Sequence, residues 1–283
     1  MASGQGTGKK QTAGLGTGQV RITYIGHATL LIELGDRMFL TDPNFDSHLG
    51  RFLPRVSAPG IALRDLPRLD AILVTHAHAD HLSFESLAGL PRDIPVFAPP
   101  VIAKWLIRLG YPAAHGIAPG ESVFSGSVEI SAAAATHQGH RYGVDRWRGA
   151  ANMYLLDTKS LSCFFAGDTA LNADSDDMVE HRITARGRRL DMALLPIGHA
   201  PWWKPGFRKG HLTSTDALTL FGRLNAKYLI PYHWGTFDHV TSKAHDAIDR
   251  LKQQLPAYPR RADVRILEPG MTFDLPVEEK AEQ

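Results

Sequence analysis

Cysteine is almost missing from this chain: Cys163 stands alone among 283 residues. A lone thiol cannot close an intramolecular disulfide, which excludes a stapled secreted scaffold and suits a reducing compartment such as the cytoplasm. Long apolar runs are missing too. None reaches the ~18 residues of a membrane-spanning helix, and the first residues carry no apolar signal region. Membrane contact, where there is any, is then expected to be peripheral. An excess of one charge is also absent, since Lys plus Arg number 31 against 29 Asp plus Glu, for a net charge of +2. That balance argues against a nucleic-acid partner. Internal repeats and low-complexity linkers are lacking between Val20 and Leu275. With 43% hydrophobic and 21% charged residues, the composition is that of a globular domain.

Histidine is what the chain has in quantity, 14 of them, and their placement carries the argument. Residues 1–19 are Gly, Thr and Gln with almost nothing apolar to bury, so they read as a mobile tail. Residues 276–283 read as a charged tail, leaving 20–275 as a single domain. Within it, Val20 to Ile25, Thr29 to Glu33 and Arg37 to Leu40 read as antiparallel strands, with a turn at Gly35-Asp36. Helices are expected over Val101 to Leu109 behind Pro99-Pro100, and over Ala217 to Leu224 behind a Thr213-x-x-Asp216 capping box. Another is expected behind a Ser242 cap, with Ala244, Ala247, Ile248, Leu251 and Leu255 on one stripe. Antiparallel hairpins followed by alternating strands and helices predict a layered α/β (α+β) protein.

The most informative segment is an apolar run, Leu69 to Thr75, that ends in His76-Ala77-His78-Ala79-Asp80-His81. Buried imidazoles and carboxylates are costly unless paired or bound to a metal. Two imidazoles at i and i+2 point the same way from an extended chain, and a turn after His78 aims Asp80 and His81 at a second point nearby. Three more apolar runs end alike: Val128 to Ala135 in Thr136-His137, Leu161 to Ala166 in Gly167-Asp168-Thr169, and Tyr228 to Tyr232 in His233-Trp234-Gly235. The 76–81 cluster lacks enough ligands for two metal sites; His137, Asp168 and His233 supply the rest. Strand ends on one sheet edge are where α/β proteins place their sites.

His76-x-His78-x-Asp80-His81, with a later histidine, a Gly-Asp-Thr and a late histidine, resembles the metallo-β-lactamase superfamily. Gly26-His27-Ala28-Thr29, Thr41-Asp42-Pro43, Leu195-Pro196-Ile197-Gly198 and His233-Trp234-Gly235-Thr236-Phe237 are similar to the N-acyl-phosphatidylethanolamine-hydrolysing phospholipase D-like branch. More distantly the chain resembles the ascorbate-6-phosphate lactonases. The resemblance implies a four-layer αββα sandwich. It implies one metal held by His76, His78 and His137, a second by Asp80, His81 and His233, and Asp168 bridging the two. His140 competes with His137, which is preferred because Arg141 follows it by four residues, as in the family. His27 and Asp42 are expected to orient ligands, and His211 to lie near the scissile group. The Pro-Glu-Glu common in the family after that histidine is here Ser214-Thr215-Asp216.

Five histidines and two aspartates favour two zinc ions, with manganese or iron as alternatives. Two dications against two aspartates leave positive charge that stabilises a bridging hydroxide and attracts an anionic substrate, small or lipid-like. Asp80 and His211 are the expected catalytic groups. Trp202, Trp203, Lys204 and Arg208, in an aromatic and basic stretch before His211, are candidate substrate contacts, and Arg146-Trp147-Arg148 is a candidate rim. The expected activity is phosphodiester hydrolysis. A lactonase and a non-catalytic metal-binding protein of the same fold are the alternatives. The oligomeric state is not legible.

Overall fold

The computed structural model describes residues 19–50, 53–141, 147–198, 206–238 and 242–276. Both expected tails, apart from Gln19 and Pro276, lie outside them, as do Arg146, Trp202, Trp203 and Lys204. In chain order the strands are β1 (Val20–Gly26), β2 (Thr29–Leu34), β3 (Arg37–Thr41), β4 (His48–Leu49), β5 (Leu53–Pro54), β6 (Ala71–Leu73), β7 (Val96–Ala98) and β8 (Ala114–Gly116). They continue with β9 (Ser122–Ser125), β10 (Val128–Ala134), β11 (Asn152–Asp157), β12 (Ser162–Phe165), β13 (Met192–Pro196), β14 (Tyr228–Tyr232) and β15 (Thr272–Asp274). The helices are α1 (Phe84–Ala88), α2 (Pro100–Arg108), α3 (Ala173–Arg182), α4 (Ser214–Leu224) and α5 (Asp246–Gln254).

Besides a two-stranded ribbon of β4 and β5, two large sheets form, with strand orders β15-β1-β2-β3-β6-β7-β8 and β14-β13-β12-β11-β10-β9. Each is antiparallel on one side and parallel on the other: β3, β6, β7 and β8 run parallel in the first, β12, β13 and β14 in the second. Alternation along β2 shows how the layers are built. Leu30, Ile32 and Leu34 join the core shared with the second sheet, whereas Leu31 packs outward with Leu40, Ile72 and Val96 beneath α1 and α2. Helices α3 and α4 lie on the second sheet, α5 packs on α4, and their apolar residues close the other core. The result is the αββα sandwich expected from the sequence.

Local signals account for most element ends. Pro100 opens α2, and the Thr213–Asp216 capping box of α4 is formed in both directions. The cap expected at Ser242 is not used. Helix α5 starts at Asp246, whose carboxylate accepts from the Lys243 backbone N at 2.7 Å and so forms a turn before the helix can begin. Its buried stripe, Ala247, Ile248 and Leu251, is the expected one. Each parallel crossover returns the chain so that β3, β6, β12, β13 and β14 end on one edge, where β1 and β10 end as well.

Candidate metal centre

Every expected metal ligand follows one of those strand ends. His76 to His81 leave β6, His137 leaves β10, Asp168 leaves β12 and His233 leaves β14. Backbone geometry is specialised there. Three of the four described non-glycine residues with left-handed φ are His27 (54°), Asp42 (33°) and His233 (71°). Such positions cost of order 1–3 kcal/mol each and persist only where surrounding bonds hold them. Gly167 has φ +56°, and an added Cβ would lie 2.7 Å from the Thr75 side chain, so glycine alone brings Asp168 so close to β6.

The side chains form two adjacent groups, His76, His78, His137 and Asp168 in one and His27, Asp80, His81 and His233 in the other, and a third, Asp42, His76 and His81, shares a residue with each. Ligand atoms within each group lie within 4.8 Å of one another. In the first, His78 Nδ1 stands 3.0 Å from His76 Nε2 and 2.9 Å from His137 Nε2, so three nitrogens converge on one place. Asp168 joins the groups: its Oδ1 is 3.4 Å from His233 Nε2 and its Oδ2 is 3.4 Å from His81 Nε2. Asp80 Oδ2 lies 3.7 Å from both His81 and His233.

Hydrogen bonds on the far side of the rings fix which nitrogen faces inward. Asp42, fully buried, accepts from the Thr75 backbone N at 2.7 Å, from Thr75 Oγ1 at 2.7 Å and from His81 Nδ1 at 2.8 Å. Because Thr75 Oγ1 gives its proton to Asp42, it accepts from His76 Nδ1, at 2.9 Å. His137 Nδ1 donates to the Gly210 carbonyl at 2.7 Å. Each of these rings therefore presents Nε2 to the centre, an arrangement typical of metal-binding histidines. His27 donates from Nε2 to Asp80 Oδ2 at 2.9 Å and lies against His233, ring centres 4.0 Å apart.

Electrostatics divides the centre. Burial lowers His76 well below the usual imidazole range, lowers His78, and takes His137 down to about 4. Burial also acts on His81 and His233, but the Asp168 and Asp80 carboxylates outweigh it, holding His81 well above the usual range and His233 up at about 9. Both carboxyls are pushed far down: burial opposes this, and the neighbouring imidazoles, chiefly His81 for Asp80 and His233 for Asp168, prevail. His81 Nε2, His233 Nε2 and Asp168 Oδ1 are nevertheless buried without a hydrogen-bond partner. Orphaned polar atoms of this kind are uncommon, and a divalent cation would satisfy them together. The residues present fit two such ions.

The other expected residues separate. His211 lines the same cavity, its Nε2 3.6 Å from Asp168 Oδ2 and its Nδ1 donating to the Phe207 carbonyl at 3.2 Å. His140 also lines it, but its ring centre is 5.8 Å from that of His78 and it joins neither ligand group. Arg208, a candidate substrate contact, is instead committed to Asp216, with Nε 3.1 Å from Oδ2 and a second bond to Oδ1. Its neighbour Lys209, part of the same basic stretch but not singled out from the sequence, lines the cavity. Only side-chain direction separates the two, and no sequence signal reports it. Trp147 is buried against Trp105 rather than exposed on a rim. Arg141 donates to the Leu82 carbonyl and stacks 4.0 Å over Phe84, pinning the turn that carries His76 to His81.

Replacing Asp42 by Asn puts an NH2 donor in place of an accepting oxygen, facing at least one of its three donors. Asp42→Asn should lower the thermal midpoint and weaken divalent-cation affinity about 10- to 100-fold, read by calorimetry with Zn²⁺. An unchanged affinity would show that the centre does not depend on this carboxylate.

The profile of the Beta-lactamase superfamily domain matches residues 37–234. An N-acyl-phosphatidylethanolamine-hydrolyzing phospholipase D of Caenorhabditis elegans is 30% identical over 256 residues, covering 83% of this chain and 69% of that protein. A metal-dependent hydrolase of Exiguobacterium sp. is 27% identical over 237 residues, covering 83% of this chain and 95% of that protein. Among solved structures, a metallo hydrolase of the archaeon Ignicoccus hospitalis superposes with a TM-score of 0.69 at 22% identity, covering 92% of this chain and all (100%) of that one. Strand ends loaded with histidine and aspartate, an αββα frame and these likenesses agree: the chain belongs to the metallo-β-lactamase superfamily, as a metal-dependent hydrolase.

Proposed function

We propose that this centre hydrolyses a phosphodiester that carries an apolar arm, such as an N-acyl phospholipid or a relative of one. One observation carries the reading. The cavity of about 590 Å³ above the centre joins an imidazole and carboxylate floor to an apolar wall of Ile197, Phe207 and Phe237, with Lys209 and Lys243 also lining it. Lys243 is shared with Asp238 at 3.2 Å, whereas the Lys209 side chain makes no hydrogen bond or ion pair among the described residues. An anionic head with a hydrocarbon arm matches that lining. The activity in the name of the nematode relative points to the same class.

In this reading His76, His78 and His137 hold one divalent cation, Asp80, His81 and His233 hold another, and Asp168 serves both. The imidazole and carboxylate set makes zinc the first choice over manganese or iron. Cations bound there supply Lewis acidity toward a phosphoryl oxygen and make water a better acid near neutral pH. The protein groups do the positioning. Asp80, oriented by His27, accepts the proton of an attacking water. Burial lowers His211, so before substrate arrives its Nε2 faces the centre as an acceptor. A phosphate beside it raises its proton affinity and turns it into a donor toward the leaving oxygen. Lys209 attracts the anion, and the apolar wall keeps bulk water out.

Three measurements test this. Hydrolysis of bis(p-nitrophenyl) phosphate should vanish on chelation and return with Zn²⁺. Asp168→Ala should abolish it and lower the bound metal to one ion or none, while exposed His245→Ala leaves both unchanged. Turnover of sugar lactones with no diester cleavage would replace this reading by a lactonase. Lys209→Gln should raise KM for an anionic diester several-fold at nearly constant kcat; an unmoved KM would remove Lys209 from substrate recognition. The third measurement is proton release. At pH 7 His76, His78 and His137 are neutral, so loading their end of the centre frees almost no protons. His81 and His233 are protonated there, so loading the other end frees about two. Its affinity should then climb up to about a hundredfold per pH unit until pH approaches the His233 value of about 9. Calorimetry in buffers of different ionisation enthalpy reads this directly, and total release below one proton would contradict it.

A further inference from the structure

Residues 206–211 do four things at once. Phe207 forms part of the cavity wall, Lys209 lines it, the Gly210 carbonyl receives His137 Nδ1 and His211 approaches Asp168. Gly210 comes so close that a Cβ there would stand 3.3 Å from His137 Nδ1. The Phe207 ring stacks on His211 with centres 4.5 Å apart, and it packs where Gly198 leaves room for it. A short 3₁₀ turn, Phe207–Lys209, is the segment's own regular structure, with no side-chain cap. Something outside must fix it relative to the centre.

Arg208 and Asp216 supply that fixture. Asp216 is the N3 residue of α4, buried to 5% exposure, and its Oδ2 already takes the Thr213 backbone N at 3.0 Å and Thr213 Oγ1 at 2.7 Å. The Arg208 guanidinium adds a two-point bond to both oxygens. Helix α4 is in turn packed on β13 and α5, so the carboxylate is a rigid anchor. A fork-shaped guanidinium on a fixed carboxylate sets orientation as well as distance, which a lysine cannot do. We infer that the Arg208–Asp216 pair is a latch that positions His137 and His211, making Arg208 a positioning residue rather than a substrate contact. The inference rests on the proposed role of His137 in holding a cation.

The test compares wild type with Arg208→Ala, Arg208→Lys, Asp216→Asn and the double variant Arg208→Ala/Asp216→Asn. Arg208 is 61% exposed in its side chain and the Thr213 capping bonds do not involve it, so Arg208→Ala should fold. In metal-free protein, imidazole ¹H–¹⁵N spectra report the His137 Nδ1–H bond; Arg208→Ala should shift and broaden that signal. Titration with Co²⁺ should show one of two sites weakened tenfold or more, with kcat on a diester falling more than KM rises. Arg208→Lys should restore only part, and the double variant should be no worse than the poorer single one. A lower thermal midpoint with spectra, Co²⁺ affinities and kcat unchanged would reduce the pair to a helix cap. A raised KM alone would return Arg208 to the substrate. If wild type took up no cation or cleaved no diester, the proposed function would fall, while the His137 spectra would still decide for or against the latch.

Discussion

One buried carboxylate organises the centre. Asp42 has no exposure to solvent, and its two oxygens take a backbone N–H and a hydroxyl from Thr75 and the Nδ1 proton of His81. Burial pushes its pKa up, and the bonds from His81 and Thr75 oppose that. Through Thr75 Oγ1 it also governs His76. A side chain at the end of β3 thus sets the ring orientation of one histidine in each ligand group. Without it neither ring would have a reason to present Nε2 inward.

Strain and bonding are matched at this edge. His27, Asp42 and His233 hold left-handed backbone conformations that side chains other than glycine avoid. Each is fastened where it bends. The His233 backbone N donates to the His27 carbonyl at 3.0 Å, the Asp42 carbonyl accepts from Thr29 Oγ1 at 2.8 Å, and the Asp42 N reaches the Leu73 carbonyl at 2.8 Å. The first of these bonds ties the two sheets together where the side chains converge, and the other two fasten β2, β3 and β6 within the first sheet. A rigid frame of this kind can hold like-charged groups close together before any cation arrives.

Much of this was legible in the sequence because metal ligands interrupt apolar strands abruptly. The run Leu69 to Thr75 could only be a buried strand, and a buried strand ending in three imidazoles and a carboxylate has few chemical reasons to exist. The opening hairpins, the capping box at Thr213 and the stripe of α5 were equally readable, since each rests on spacing alone. Contacts that depend on side-chain direction were not. Arg208 and Lys209 are adjacent cations, and only the fold shows that one turns to Asp216 and the other to the cavity. Trp147 beside its arginines reads equally as rim or as packing, and only the fold shows it buried against Trp105. Ser242 offers a cap that Asp246, four residues later, overrides by taking the Lys243 backbone N–H on its carboxylate.

The division of proton affinity across Asp168 shows how the centre can exist both without and with cations. On one side stand three neutral imidazoles, His76, His78 and His137, which need no counter-charge. On the other, protonated His81 and His233 offset ionised Asp80 and Asp168, so that end is electrically self-compensated when the protein folds. A set of like charges without such an offset would be driven apart or neutralised by burial. When cations take the place of those two protons, the same carboxylates balance only half of the incoming charge. The floor of the cavity then changes from neutral to positive, directly beneath Lys209 and His211. On the proposed reading, affinity for an anionic substrate would thereby be coupled to metal loading.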